Sequence, residues 1–86
     1  MDINDLIAIV KKKLQNNILI EKINIEVKSF LHKNHAGNQK GKFHLKIILS
    51  SNELKILSRI ESNKKIYKIL DKELKEYIHS IQILIS

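Results

Sequence analysis

Apolar side chains recur every three or four positions along residues 2–17, which is the spacing of one face of an α-helix. They are Ile3, Leu6, Ile7, Val10 and Leu14. Asp2 or Asn4 is placed to cap the helix, and lysines in its last turns suit the negative end of the helix dipole. Asn16 and Asn17 mark its end. The chain is therefore predicted to begin with an amphipathic helix.

Two segments follow in which apolar and polar residues alternate, the period-2 pattern of strands with one buried face. The inward positions of the first are Ile23, Ile25 and Val27. Those of the second, the segment HLKIILS, are Leu45, Ile47 and Leu49. The segment joining the two strands, HKNHAGNQKGKFH, contains both glycines and three of the four histidines of the chain.

Helical spacing returns after a polar connector, SSNELKIL. Ser58 and Glu61 have the spacing of a capping box, and the helix that they open is predicted to extend to about Leu70. Its predicted buried face consists of Ile60, Ile66, Tyr67, Ile69 and Leu70. A short helical segment, DKELKEYI, is anchored by Leu74 and Ile78. The closing HSIQILIS is predicted as a strand with one face formed by His79, Ile81, Ile83 and Ile85.

The predicted element order is α-β-β-α-α-β in one domain spanning residues 1–86. Three strands and three helices in a chain this short predict an α+β fold, with a three-stranded mixed sheet covered by helices on one face. The same order occurs in class II KH-like modules. KH modules clamp nucleic-acid backbone with a GxxG loop, whereas here three residues separate Gly37 from Gly41. The prediction is a KH-like shape that lacks the KH loop.

The net charge is +7, and Arg59 is the only arginine. Such a charge permits nucleic acid, acidic proteins or anionic lipid as partners, although a compositional bias towards Lys, Ile and Asn accounts for much of it. No apolar run approaches the ~18–20 residues that span a bilayer. The first residues lack the basic and apolar regions of a secretory signal. We therefore expect a soluble, intracellular chain with no membrane partner.

The chemistry available to the chain rests on its histidines, because cysteine is absent. Imidazole is a common ligand of iron, zinc and copper. His32, His35, His44 and His79 follow no recognised zinc spacing, so the residues alone leave two interpretations open: metal ligands, or polar side chains in contact with water or capping partners. No nucleophile motif, flanked acid pair or phosphate-binding loop occurs, and we expect the protein not to be an enzyme.

At this point the sequence resembles the BolA-like family over essentially the whole chain. The family's HxxHAG loop motif appears as His32–Gly37, and its histidine-led strand ending in serine appears as HLKIILSS, starting at His44. The tyrosine of its long helix matches Tyr67 in KKIYKIL, and its closing signature matches IHSIQIL with His79. The chain departs from the family's RHR triplet, in whose place stand residues 62–64, SNK, and from its FxG, replaced by LKI.

The resemblance implies an adaptor that pairs with a monothiol glutaredoxin in iron–sulfur trafficking or iron regulation. The pair shares a [2Fe–2S] cluster, to which the glutaredoxin contributes a cysteine and bound glutathione. Carried over to this chain, the histidine ligands are His79 and His35, with His44 as an alternative second ligand or an orienting group and His32 as a bystander. We expect the chain to bind no cofactor alone. We also expect it to be a monomer alone and a heterodimer with glutaredoxin. Its expected location is the bacterial cytoplasm, with mitochondria as the alternative.

A second hypothesis is a nucleic-acid-binding transcriptional regulator, a role proposed for some members of the family. It relies on the positive charge, the KH-like order and three lysines of the long helix, Lys64, Lys65 and Lys68. The missing GxxG and the scarcity of aromatic side chains are evidence against nucleic-acid binding.

Overall fold

The computed structural model describes residues 2–28 and 43–86. Their helices and strands follow in the order α1 (Ile3–Asn17), β1 (Lys22–Val27), β2 (Phe43–Ser50), α2 (Asn52–Ile56), α3 (Arg59–Ile69), α4 (Asp71–Glu76) and β3 (Ile78–Ile85). The α+β class is confirmed, and the structure adds one element, because the predicted connector between β2 and the long helix contains the short helix α2.

The first helix begins and ends as its sequence predicts. Asp2 is the N-cap, and its carboxylate accepts a hydrogen bond from the Asn4 N–H at 3.0 Å. The buried side chains of α1 are Leu6, Val10 and Leu14. The chain leaves the helix at Ile18, whose N–H donates to the Leu14 carbonyl. The apolar stripe of α1 therefore lies on the core, as amphipathic spacing requires.

The sheet has the strand order β1-β2-β3, with β2 at the centre. β1 pairs with β2 antiparallel, and β3 pairs with β2 parallel. The connection through α2, α3 and α4 is long enough for a parallel pair, which needs a crossover of a dozen or more residues. The mixed sheet is thereby confirmed.

One face of the sheet and the inner faces of the helices form a single apolar core. Its buried members are Leu6, Val10, Leu14, Ile18, Ile25, Leu45, Ile47, Leu49, Leu54, Ile66, Leu70 and Ile78. The opposite face, on which Asn24, Glu26, Lys46 and Gln82 lie, consists mainly of polar positions. The predicted alternation in β1 and β2 is therefore confirmed, since Ile25, Ile47 and Leu49 point into the core.

The short helix α2 is held in place by a single serine. Ser51 is fully buried; its hydroxyl accepts from the Leu54 N–H at 3.2 Å and donates to the Leu19 carbonyl at 2.7 Å. One side chain thus caps a helix and ties it to the segment between α1 and β1, and Leu54 is buried beneath it.

The long helix begins with the predicted capping box between Ser58 and Glu61. Its buried face differs from the predicted one: Ile60 is 67% exposed and Tyr67 is 45% exposed, so their assignment to the core was wrong. Ile66 and Leu70 are buried as predicted, and Ser62 joins them; the Ser62 hydroxyl donates to the Leu54 carbonyl at 2.9 Å. This hydrogen bond to α2 allows a polar residue to occupy the buried face.

A buried carboxylate connects the first and fourth helices. Glu73 is only 4% exposed, and both of its oxygens accept hydrogen bonds from Lys13 Nζ, at 2.9 and 2.8 Å. Because an unpaired buried charge is costly, this bidentate contact satisfies the one carboxylate that α4 places in the interior. No described helix has the length and hydrophobicity needed to cross a membrane.

Candidate functional site

A register irregularity at the start of β3 positions His79. Phe43 pairs with Ile78, but the next residue of β2, His44, pairs with Ser80, so His79 is an additional residue in β3. Ile78 is buried in the core, whereas His79 and Ser80 are both exposed. Bulges of this kind commonly redirect a side chain at the rim of a sheet. The prediction that His79 shares the face of Ile81 was wrong, because the extra residue interrupts the alternation.

The irregularity brings two of the four histidines together. The rings of His44 and His79 lie with their centroids 4.7 Å apart and their planes inclined by 57°. His44 Nδ1 also forms a hydrogen bond with Ser80 Oγ. A hydrogen bond to one ring nitrogen orients the imidazole, and partners of this kind commonly orient histidines that bind metals.

Ser80 is a site residue that could not be identified from the sequence. No local signal marks this serine, because it lies 36 positions from His44 and meets it only through the parallel register of β2 and β3. The contact between His44 and His79 could not be predicted from the sequence either. There, His44 was only the alternative to His35 as the second ligand. The structure places His44 next to His79.

His35 and His32 lie outside the described residues, as does the rest of the segment 29–42. The described residues on either side of that segment both lie next to the histidine pair. The Lys28 N–H donates to the His44 carbonyl at 2.7 Å, and the Phe43 N–H donates to the Tyr77 carbonyl at 2.9 Å. The segment that contains His35 therefore leaves and re-enters the sheet beside His44 and His79.

This site contains few side chains that could ligate a metal. In the described ranges 2–28 and 43–86, no group of three or more His, Cys, Asp or Glu side chains could hold a metal ion. Two imidazoles can ligate one iron but cannot complete a two-iron cluster, which takes four protein or thiol ligands. The residues therefore fit a cluster only as a partial ligand set, with the sulfur ligands contributed by another molecule.

The three lysines proposed for nucleic-acid binding differ in their contacts. Lys65 forms an ion pair with Glu53 on α2, whereas Lys64 and Lys68 are exposed. Within the part of the chain that the structure describes, neither Lys64 nor Lys68 forms an ion pair. Lys65 thus has a structural partner, and Lys64 and Lys68 remain available to an anion.

The Lys65 ammonium lowers the pKa of Glu53 below its ordinary value of 4.5, and a hydrogen bond from the Leu19 N–H at 3.0 Å lowers it further. A carboxyl whose pKa is lower in the folded state contributes stability above its unfolded pKa and loses it as the pH falls through its folded pKa. Glu53 therefore joins α3 to the end of α1 most strongly near neutral pH.

We expect Glu53→Gln to lower the urea midpoint near pH 7, and the difference from the wild type to shrink as the pH is lowered to about 3. The reason is that protonated Glu53 is uncharged and no longer attracts Lys65, and the glutamine amide is uncharged at every pH. Glu76→Gln is the control, because Glu76 is exposed and forms no ion pair within the described residues. A difference for Glu53→Gln that is independent of pH would contradict the assignment.

The fold and the site together define a KH-like α+β domain that presents imidazoles at one end of its sheet. The family model described as BolA-like protein matches residues 14–86. The chain belongs to the BolA-like family.

Individual relatives are consistent with this assignment. A Haemophilus influenzae protein named DNA-binding transcriptional regulator BolA is 27% identical over 75 residues, which cover 87% of this chain and 70% of that protein. The BolA domain of SufE1 from Arabidopsis thaliana has a similar structure, with a TM-score of 0.76 at 23% identity over 92% of this chain and 87% of that one. Mouse BolA1 gives a TM-score of 0.71 at 19% identity, covering 90% of this chain and 60% of that one. The structural likenesses establish the fold.

Proposed function

We propose that this protein is a non-enzymatic adaptor that shares a [2Fe–2S] cluster with a monothiol glutaredoxin for iron–sulfur trafficking or iron regulation. The observation that supports it is the exposed imidazole of His79 beside the His44 ring, at the end of the sheet where the HxxHAG segment is attached. A surface pair of imidazoles without any cysteine in the chain suits a cluster whose sulfur ligands come from elsewhere.

In this proposal His79 is one ligand and His35 is the second, with His44 as the alternative. The hydrogen bond between His44 and Ser80 gives His44 a fixed orientation, so that it either ligates directly or positions the neighbouring imidazole. The glutaredoxin contributes a cysteine and bound glutathione. Imidazole in place of thiolate raises the reduction potential of such a cluster, which is the chemical change that this chain would bring to its partner.

The proposal makes the partner part of the site. The chain alone binds no cluster and is a monomer, and the heterodimer with glutaredoxin forms around the shared cargo. Bacterial cytoplasm is the proposed location, with mitochondria as the alternative, because cluster trafficking takes place in both.

The test is a titration of the protein into a monothiol glutaredoxin reconstituted with iron, sulfide and glutathione, followed by absorption and circular dichroism. We expect the visible bands of the glutaredoxin cluster to shift and to reach a plateau at one equivalent, because imidazole replaces sulfur at one iron. An unchanged spectrum, with no complex on gel filtration, would contradict the proposal.

A second candidate function is nucleic-acid-binding regulation, because the Haemophilus influenzae relative carries the name of a DNA-binding regulator. The exposed Lys64 and Lys68 and the net charge of +7 are compatible with it. Charge alone produces weak binding that falls steeply with salt and has no sequence preference. A regulator must in addition prefer one sequence over others at fixed salt, and a selection from random duplex DNA measures that preference directly.

A further inference from the structure

The two edges of the sheet differ in how they are protected. At the β1 edge, Lys22 and Glu26 bear charges, and Lys28 follows directly. The exposed edge of β3 contains the sequence IQILI from Ile81 to Ile85, with no charge and no proline. Native sheets usually blunt an edge with charges, prolines or bulges because an unprotected edge pairs with other chains. The irregularity at His79 affects only the first residues of β3, so residues 81–85 remain a regular, uncharged edge.

The direction of the backbone groups on β3 follows from one hydrogen bond. The Ser86 N–H donates to the Leu49 carbonyl of β2 at 2.9 Å. Since successive residues of a strand point their amide groups to opposite sides, Ser86, Leu84 and Gln82 face β2. The N–H and C=O groups of Ile81, Ile83 and Ile85 therefore point away from the sheet. No described strand pairs with that side of β3.

A groove of about 250 Å³ runs beside this edge, between the last residues of β3 and the region where α2 meets α3. Apolar side chains of Leu57, Ile83 and Ile85 line it together with Lys55 and Arg59. It continues across Asn63 to the exposed pair Ile60 and Tyr67, next to Lys64. The two apolar residues that were wrongly predicted for the core thus extend this groove.

The charges around the groove are of one sign. Among the described residues, Lys55, Arg59 and Lys64 line it and no carboxylate does. None of the three forms an ion pair within residues 2–28 and 43–86. A second copy of this chain would bring the same cations against one another, so self-association at this edge is disfavoured. Charge complementarity favours an acidic occupant.

We infer that the free edge of β3 binds an extended, acidic segment of a partner protein as a fourth strand. Main-chain hydrogen bonds to Ile81, Ile83 and Ile85 supply affinity in this binding mode, and the groove supplies specificity through apolar side chains flanked by carboxylates. Arg59 is the side chain best suited to a carboxylate, because its planar fork binds both oxygens. The inference is independent of the cluster proposal, since it uses neither His44 nor His79.

The test uses a peptide as long as β3, 8 residues, that alternates valine and aspartate. Hydrogen exchange of the ¹⁵N-labelled protein is measured with and without the peptide. We expect the amides of Ile81, Ile83 and Ile85 to exchange more slowly when the peptide is bound, because they enter a new ladder. Methylating alternate peptide nitrogens on the bonding side should weaken binding by about tenfold or more, because several main-chain hydrogen bonds are lost.

The charge requirement is tested with the double variant Lys55→Glu and Arg59→Glu. Its affinity for the peptide should fall by about tenfold or more, because two attractive contacts become repulsive. The matched control is Lys12→Glu with Lys72→Glu, which makes the same change of net charge at exposed positions away from the groove.

Three results would overturn the inference. One is binding of the peptide without protection of Ile81, Ile83 and Ile85. Another is an equal loss of affinity in the control variant, which would show that net charge alone attracts the peptide. The third is absence of peptide binding at about 1 mM, a concentration that detects even ~4 kcal/mol of affinity; protection of the same edge by a single-stranded oligonucleotide would then identify nucleic acid as its occupant.

Discussion

His79→Ala should abolish the stable one-to-one species that the wild-type protein forms with a cluster-loaded monothiol glutaredoxin. His79 is exposed, it is placed at the end of the sheet by the register irregularity, and its ring lies against His44. With the imidazole removed, the iron on this side of the cluster loses a ligand that the alanine cannot replace. The measurement is the visible circular dichroism spectrum during the titration, with gel filtration to follow the complex.

The matched control is His32→Ala, which removes an imidazole from the same chain at a position expected not to ligate. It should give the wild-type spectrum. The comparison of His35→Ala with His44→Ala then identifies the second ligand, because only the ligand variant should change the spectrum as His79→Ala does. If His79→Ala and His35→Ala both reproduced the wild-type spectrum, the assignment of the ligands would be wrong.

Ile47→Ala should destabilise the folded protein by about 2–5 kcal/mol, the range for removing a large aliphatic side chain from a packed core. Ile47 is fully buried at the centre of β2, paired with Ile25 on one side and Ile83 on the other. A domain of this length has a free energy of unfolding of about 4–13 kcal/mol, so the loss is a large fraction of the total. Urea unfolding measures it, with an unchanged slope as evidence that only stability has changed.

The control for this prediction is Leu84→Ala on the neighbouring strand. Leu84 lies on the opposite face of the sheet and is 41% exposed, so its truncation should cost less than about 1 kcal/mol. Equal losses at the two positions would mean that the outer face of the sheet is covered in solution, which would contradict the helix-on-one-face architecture.

Much of the architecture could be predicted because its signals are local. The helical stripe of α1, the alternation of Ile23 and Ile25 in β1 and the capping box of Ser58 each lie within a few residues. Local spacing decides which face of an element is apolar, and a chain this short has one core for those faces to meet in. The family motifs, led by HxxHAG and IHSIQIL, are local too, and they predicted the family that the comparisons established.

The errors occurred where two distant segments decide the outcome. The segment of α2 was predicted to be a connector. Part of what holds this helix is the hydrogen bond from its N-cap, Ser51, to the Leu19 carbonyl, which is far away in the sequence. Ile60 and Tyr67 have the apolar character of core residues, but α3 packs with Ser62 and Ile66 towards the core, so both remain exposed. Periodicity specifies that a helix has an apolar face, but it does not specify which of two candidate faces packs against the core.

The fold class, the strands, the caps of α1 and α3 and the four histidines from which a site could be built all follow from the sequence. The contact between His44 and His79, the hydrogen bond between Ser80 and His44 and the ion pair of Lys65 with Glu53 arise in the folded protein alone. Residue types and local spacing are properties of the chain, whereas these contacts join distant segments. The register of β2 and β3 is established only when the whole core has packed, and that register makes His79 the extra residue of β3.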